Sequence, residues 1–198
     1  MCIRDSWSFE GKNVPIHWHN DLEINLIREG EAVFQVYQKS YRVRTGEGFL
    51  LNRNVPHSCS SPGNEHVRYS TILVRPDFLY GDFGSDVERK CFQPFLQNSA
   101  IPCIYLTGFD ENGKEILQKL NQVEEAFDRK RFCYELKIKG LLCEAFAMIL
   151  YGHRQELTKF VPANLQELER LEKMLNYLNM HFTCLLYTSP SPRDPKTS

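Results

Sequence analysis

The sequence predicts a mainly β protein with α-helices, in which a barrel or sandwich of short strands precedes a helical layer. Residues 14–74 consist of short apolar runs separated by turn residues, as in all-β sandwiches and barrels. After Gly108 the spacing of apolar residues changes from two to nearly four, which indicates helices. With 198 residues, 42% of them hydrophobic, the chain can bury one substantial core.

Residues 16–30 show the strand pattern most clearly. Apolar side chains such as Leu22 and Ile24 fall on even positions, whereas His17, His19 and Glu23 fall on odd positions. Because successive strand side chains point to opposite faces, one face would carry two imidazoles and a carboxylate. These groups suit a transition metal, zinc or a polar organic ligand. The alternative is a polar sheet face that contacts only water.

Further strands follow this stretch. Glu29 and Gly30 are expected to close a first hairpin, with residues 32–37 pairing back. Residues 46–57 supply another apolar run and a further histidine, His57.

The end of the sheet region is less regular. Residues 67–74 and 101–106 are predicted to form late strands, and Ser85 is placed to cap a short helix over residues 86–91. The strands would therefore extend to residue 106, with a short helical insertion between them.

Two amphipathic helices are predicted after residue 110, with a break at residues 128–131. One apolar stripe is formed by Ile116, Leu120, Val123 and Phe127, and the other by Ile138, Leu142, Ala145 and Ile149. Two antiparallel helices joined by a short turn result. The stripes can pack on the barrel, on each other or on a second copy of the chain.

A further helix is predicted after Ala163, where Asn164 and Glu167 stand in capping-box relation. Its apolar face comprises Leu168, Leu171, Leu175, Leu178 and Phe182.

Two motifs together resemble the cupin superfamily. The first is His-x-His-x-x-x-Glu from His17 to Glu23, and the second is Gly-x-Gly followed by three apolar residues and Pro-His, ending at His57. The resemblance implies a double-stranded β-helix, or jelly-roll barrel, with three histidines and the glutamate facing inward, which would bring His57 beside the first pair. Asn52 and Asn54 stand where many cupins carry Pro and Gly.

The order of barrel, helical hairpin, linker and amphipathic helix resembles the N-terminal half of AraC/XylS-type transcriptional regulators, over residues 13–183. The resemblance implies a sensing barrel at 7–106, a hairpin at 107–160 that mediates dimerisation, and a linker with the first helix of a DNA-binding domain at 161–183. The recognition helices would lie beyond residue 184, so we expect DNA contact only through that missing part.

Both ends of the chain resemble translated sequencing-adapter sequence. We therefore expect residues 1–6 to be a non-native leader and residues 184–198 a non-native tail. An ordinary disordered tail rich in Pro and Ser is the alternative for the second segment.

Composition restricts the classes of function. The net charge of −1 provides no basic surface of the kind that nucleic-acid binding requires. The seven cysteines form no Cys-x-x-Cys pair, and the sequence contains no signal-peptide pattern and no membrane-spanning run. We therefore expect a cytoplasmic protein without membrane partners.

Two hypotheses about function follow. In the first, the chain is the effector-sensing and dimerisation region of a bacterial regulator, without enzymatic activity, cofactor or metal. Its effector would be a small molecule, for which a sugar is one candidate within the family, and Phe34 and Tyr37 are candidate walls of the site. The residues assigned to ligand binding are His17, His19, Glu23 and His57.

In the second hypothesis the chain is a mononuclear metal-dependent cupin enzyme, such as an isomerase or a dioxygenase. The same four residues would then hold Fe, Mn or Zn, as the resemblance to cupin enzymes implies. Against this alternative, the sequence reveals no hydrogen-bond partners that would orient the imidazoles.

Overall fold

Two antiparallel sheets form the β region of the protein. A computed structural model describes residues 2–10, 13–159 and 174 of the chain. The strands within these residues are β1 (Cys2–Glu10), β2 (Val14–His17), β3 (Leu22–Glu29), β4 (Glu31–Val36), β5 (Lys39–Arg44), β6 (Gly48–Leu51), β7 (His57–Ser60), β8 (His66–Val74) and β9 (Cys103–Leu106). One sheet has the order β1-β8-β3-β6-β9 and the other the order β2-β7-β4-β5.

Gly30 carries the chain from one sheet to the other. β3 pairs with β6 and β8, whereas β4 pairs with β5 and β7, so the predicted hairpin between β3 and β4 was wrong. Gly30 has a φ of 78°, and a Cβ there would lie 2.3 Å from the carbonyl oxygen of His66. Only glycine fits this crossing without strain, because both the backbone conformation and the neighbouring strand exclude a side chain.

The five-stranded sheet is buried on both faces. Its outer face, with Leu22, Ile24 and Leu26 of β3, packs in a core that includes the helices. Its inner face contributes Ile27 and other residues to a second core between the two sheets, within the barrel. The apolar face of β3 therefore points outward to the helices, and its polar face points into the barrel.

The two aromatic residues proposed as walls of the ligand site differ in their exposure to solvent. Phe34 is buried, and its ring stacks on Phe49 with centroids 4.8 Å apart. Tyr37 is exposed in the turn between β4 and β5, with a φ of 51°. Phe34 thus faces the interior and Tyr37 faces solvent.

Short helices occupy the segment between β8 and β9. They are α1 (Pro76–Tyr80) and α2 (Gln93–Leu96), the latter continuing from a π-helical turn at Glu88–Phe92. The Ser85 hydroxyl accepts a hydrogen bond from the amide of Glu88, as expected for the predicted cap.

Two long helices follow as predicted. They are α3 (Glu111–Arg129) and α4 (Tyr134–Gly152), and the short α5 (Arg154–Leu157) comes next. Asp110 accepts a hydrogen bond from the amide of Gly113 at the start of α3, and Lys130 ends that helix in the left-handed conformation. Seven of the eight residues of the two predicted stripes are buried, and Phe127 is partly buried against the same core.

The predicted fold class, mainly β with α, is confirmed: a cupin-like barrel precedes a helical hairpin. Residues 2–6 of the expected leader form part of β1, which pairs with β8, and their origin is not tested by this pairing. Apart from residue 174, the further helix predicted within 161–183 and the tail at 184–198 lie outside the described residues. In the described part of the chain, no helix is long and apolar enough to cross a membrane.

Candidate functional site

The four predicted side chains meet where the two sheets adjoin. His17 ends β2, and its Cα partner on β7 is His57. Glu23 lies on β3 of the other sheet, and His19 lies in the connection between β2 and β3. Each residue offers one ligand atom, and these four atoms all lie within 4.8 Å of one another. The predicted convergence is therefore present, while the assignment of these residues to ligand binding stays a prediction.

The strand predicted over residues 16–30 is broken at residues 18–21. The amide of Asn54 donates to the His19 carbonyl at 2.8 Å and thereby ties this connection to the loop before β7. Asn54 adopts a φ of 57°, a left-handed conformation that asparagine tolerates better than most residues, and it stands where many cupins carry glycine. Nearby, the buried Asn52 amide donates to the Phe95 carbonyl at 2.8 Å.

Backbone carbonyls orient all three imidazoles. The Nδ1 atoms of the three rings lie at hydrogen-bond distance from carbonyl oxygens: His17 from Pro15 at 2.9 Å, His19 from Asp21 at 3.0 Å and His57 from Val55 at 2.8 Å. A carbonyl oxygen can only accept, so each Nδ1 carries the hydrogen. The three Nε2 atoms are therefore presented to the centre of the cluster.

Glu23 and His19 form a partly buried ion pair. The Nε2 of His19 lies 2.8 Å from Glu23 Oε2. Burial, the largest single cause, would lower the pKa of His19, but the hydrogen bond to Glu23, the attraction of its charge and the contacts with Asp21 together outweigh burial and raise that pKa above its usual value. Burial likewise opposes ionisation of Glu23, yet the contacts with His19, His57 and Asn25 hold the pKa of its carboxyl well below its usual value. Glu23 is thus a buried carboxylate.

His57 is the most deeply placed imidazole of the cluster. Its Nε2 is buried and lies 3.3 Å from Glu23 Oε2, and no hydrogen-bond partner reaches it among the described residues. In the neutral ring Nδ1 carries the only hydrogen, so His57 Nε2 and Glu23 Oε2 then face each other as two acceptors. A cation or a hydrogen-bond donor between them would relieve this repulsion.

The exposure of the rings defines the direction of access. His57 and Glu23 are buried, whereas His17 and His19 are only partly buried. Burial is also the main cause that lowers the pKa of His17, so this ring favours the neutral form. A ligand would reach the cluster from the side of His17 and His19.

Sequence reasoning missed two supporting residues, Asn25 and Thr71. The Thr71 hydroxyl donates to Asn25 Oδ1 at 2.7 Å, and Asn25 Nδ2 donates to Glu23 Oε1 at 2.8 Å. Asn25 shares strand parity with Glu23, and this signal was available in the sequence. Thr71 offered none, because it reaches the site only through the pairing of β8 with β3.

A metal ion fits the donor set of the cluster. Cupin enzymes hold a metal with three histidines and a glutamate, and here the Nδ1 hydrogen bonds fix the ring orientation that metal-bound histidines require. The buried Nε2 of His57, which has no hydrogen-bond partner among the described residues, is also suited to bind a metal ion. The Nε2 atoms of His17, His19 and His57 and the Glu23 carboxylate would hold the ion. When bound, such an ion supplies a Lewis acid to a polar ligand.

Comparison with known proteins gives matches to regulators and to cupins. A family model described as the AraC-like ligand binding domain matches residues 3–146. An uncharacterised HTH-type transcriptional regulator of Bacillus subtilis (strain 168), YdeC, is 23% identical over 170 residues, which cover 85% of this chain and 56% of that protein. The chain thus spans about half the length of this curated relative.

Solved structures with a similar fold include two cupins. A cupin protein from Bacteroides fragilis is 18% identical with a TM-score of 0.38, over 43% of this chain and 75% of that chain. A cupin-2 domain containing protein from Shewanella frigidimarina NCIMB 400 is 20% identical with a TM-score of 0.34, over 37% of this chain and 71% of that chain.

The family-model match extends from β1 into α4 and so includes both sheets, the four clustered side chains and most of the helical hairpin. It covers well over half of the chain. The chain therefore belongs to the AraC-like ligand-binding domain family.

Proposed function

We propose that this chain is the effector-sensing region of a cytoplasmic bacterial transcription regulator and that it binds a small polar molecule at His17, His19, Glu23 and His57. The supporting observation is the convergence of three imidazoles and one carboxylate from two sheets, with their ligand atoms within 4.8 Å of one another. Such a cluster offers both hydrogen-bond donors and acceptors, which suits hydroxyl or carboxylate groups on an effector. A sugar is one candidate.

Thermal-shift measurements against a panel of polar metabolites, including sugars, test this proposal. A ligand that binds only the folded chain stabilises it by RT ln(1 + L/Kd), where L is the free ligand concentration, so the melting temperature rises with that concentration. His19→Ala and Glu23→Gln should abolish the shift, whereas His66→Ala, a histidine substitution outside the cluster, should retain it. A shift that persists in both cluster variants would place the effector elsewhere.

A homodimer is the second part of the proposal, and it involves the outer face of α4. Leu136, Gly140, Ala147 and Tyr151 follow one another at helical spacing and are exposed, with Leu136 71% and Tyr151 69% accessible. The opposite face of α4 is already buried in the core. Two large residues with small ones between them would allow a second copy of the helix to approach closely.

Sedimentation velocity measures this association directly. The chain should dimerise with increasing concentration, and Leu136→Glu should make it monomeric because a charge would be buried at the contact. Phe83→Glu is the matched control, since Phe83 is exposed but lies outside α4. A monomer at every concentration, or equal effects of the two variants, would contradict the proposed contact.

We propose that the whole regulator binds DNA through a helix-turn-helix region, as the name of the Bacillus subtilis relative, an HTH-type transcriptional regulator, suggests. The effector would act by binding one arrangement of barrel, hairpin and DNA-binding domain better than another. Electrophoretic mobility shift of the longer protein on its own promoter, with and without the effector, tests this assignment.

A metal-dependent enzyme is a second candidate, and the three oriented imidazoles are the observation that favours it. An enzyme must consume its ligand, whereas a sensor returns it unchanged. Product analysis after incubating the metal-loaded chain with a ligand from the panel separates these functions.

A further inference from the structure

Two buried hydrogen bonds link Thr71, Asn25 and Glu23 in series. Asn25 on β3 and Thr71 on β8 are direct Cα partners. The Thr71 hydroxyl donates to Asn25, and the Asn25 amide donates to Glu23 Oε1. Asn25 is completely buried, and Thr71 and Glu23 are buried as well. These two hydrogen bonds therefore lie inside the barrel, where water does not compete with them.

The donors and acceptors of these three side chains determine the direction of both hydrogen bonds. A carboxylate only accepts, so the amide nitrogen of Asn25 must face Glu23, which leaves the amide oxygen to accept from the Thr71 hydroxyl. Glu23 Oε1 is occupied by this contact. Glu23 Oε2 is consequently held toward His19 at 2.8 Å and His57 at 3.3 Å.

His57 Nε2 and Glu23 Oε2 lie close enough together to share one cation. The Nδ1 atom of His57 is engaged by a backbone carbonyl, so in the neutral ring its buried Nε2 presents a lone pair toward Glu23 Oε2. The Nε2 atom of His17 is directed inward by the same kind of Nδ1 contact. A divalent ion between these atoms would satisfy both rings and the carboxylate together.

We propose that Asn25 and Thr71 are positioning residues that aim the Glu23 carboxylate at a divalent transition-metal ion held by His17, His19 and His57. The inference rests on the proposed effector site, because it concerns the same four side chains. It adds the two residues that prepare the carboxylate for the ion.

Titration of the purified full chain with Co²⁺, after removal of metals with EDTA, tests the inference. Uptake is followed by calorimetry and by the visible absorption of bound Co²⁺, and about one ion per chain is expected for a single mononuclear site. Thr71→Val removes the hydroxyl at almost constant volume, and Asn25→Leu removes the amide. Each should weaken Co²⁺ binding by about 10- to 100-fold, the usual effect of losing such a supporting contact.

Two controls separate positioning from general stability. Thr71→Ser keeps the hydroxyl and should restore wild-type affinity and the wild-type absorption band. Thr45→Val makes the same change at an exposed turn hydroxyl, which bonds to the Gly30 carbonyl, and should leave Co²⁺ binding unchanged. A purely structural role of Thr71 would lower the melting temperature of Thr71→Val in EDTA without changing its Co²⁺ affinity or spectrum.

The outcomes are distinct. A wild-type chain that takes up no Co²⁺ overturns the metal site, and Thr71→Val and Asn25→Leu variants with wild-type affinity overturn the positioning role. If Asn25→Leu does not fold, the comparison of Thr71→Val with Thr71→Ser decides. The metabolite screen for the effector is repeated in EDTA, so failure of the proposed sensing function is measured separately from failure to bind the ion.

Discussion

Arg28 joins the barrel to the helical hairpin, and its replacement is expected to destabilise the protein. From β3, its Nε donates to the Ser70 hydroxyl at 3.2 Å, and one terminal nitrogen donates to Asn121 Oδ1 at 2.7 Å. The other terminal nitrogen contacts the Glu124 carboxylate on α3. The side chains of Arg28 and Glu124 are 27% and 9% exposed, so this ion pair is mostly shielded from water.

The cost of Arg28→Met follows from this burial. The substitution keeps an apolar stem but removes the charge and all three hydrogen bonds. Removing one partner of a fully buried ion pair costs about 3–5 kcal/mol. Because part of the Arg28 side chain reaches solvent, we expect about 2–3 kcal/mol, after allowing for screening by water. This corresponds to a decrease in Tm of about 5–10 °C for a chain of this size.

Urea denaturation followed by circular dichroism measures the loss. Arg42→Met is a matched control, because the Arg42 side chain is 65% exposed and its pair with Glu31 should contribute less than about 1 kcal/mol. The double variant Arg28→Met/Glu124→Leu should be more stable than Arg28→Met alone, since no buried carboxylate is left without its guanidinium. Equal losses for Arg28→Met and Arg42→Met would refute the reasoning.

Three further predictions concern single residues. Gly30→Ala should cost about 3 kcal/mol in urea denaturation, because its φ is positive and a Cβ would meet a backbone carbonyl at 2.3 Å; a neutral effect would contradict the crossing. Thiol labelling of the folded chain, mapped by mass spectrometry, should modify the exposed Cys91 and Cys133 before Cys59, because burial raises the pKa of the Cys59 thiol to about 12. In EDTA, the stability that wild type holds over Glu23→Gln should be largest above pH 4.5 and should shrink as pH falls, because the carboxyl pKa of Glu23 is lower in the folded state than its usual value of 4.5. A difference that does not change with pH would contradict this linkage.

The convergence of the cluster could be predicted from sequence, but the backbone path to it could not. Strand parity placed His17, His19 and Glu23 on one face of a continuous strand. In the structure that strand is broken, and His17 belongs to the sheet opposite Glu23. Within the break, the amide of Asn54 donates to the His19 carbonyl, and these two residues are 35 positions apart in the sequence. Periodicity is a local signal and does not contain such a contact.

Gly30 illustrates the same limit in a turn. Its type and position indicated a reversal of the chain, and the positive φ agrees with that interpretation. A glycine of this conformation fits a hairpin and a crossing between sheets equally well. Which of the two forms is decided by the distant strands that pair with β3 and β4, so local turn chemistry identified the turn and assigned the wrong partner.

The helices were easier to predict because their signal is repeated. The stripes of α3 and α4 each recur over several turns, and every turn repeats the same information about the buried face. The Nδ1 contacts of the three imidazoles were the hardest features to predict from the sequence. Each joins residues only two positions apart, yet it depends on the ring rotamer, which residue types alone do not specify.

β3 links the proposed sensing site to the hairpin through its two faces. Glu23 and Asn25 lie on the barrel side, whereas Ile24 packs among the helices on the other side and Arg28 is bonded to α3. Because both faces are close-packed, we expect a displacement of β3 by a ligand to shift its contacts with the helices. Under the proposed function, effector binding and hairpin association are therefore coupled. Such a coupling is reciprocal, so Leu136→Glu, if it abolishes the dimer, should change effector affinity by the same factor by which the effector changes dimer affinity.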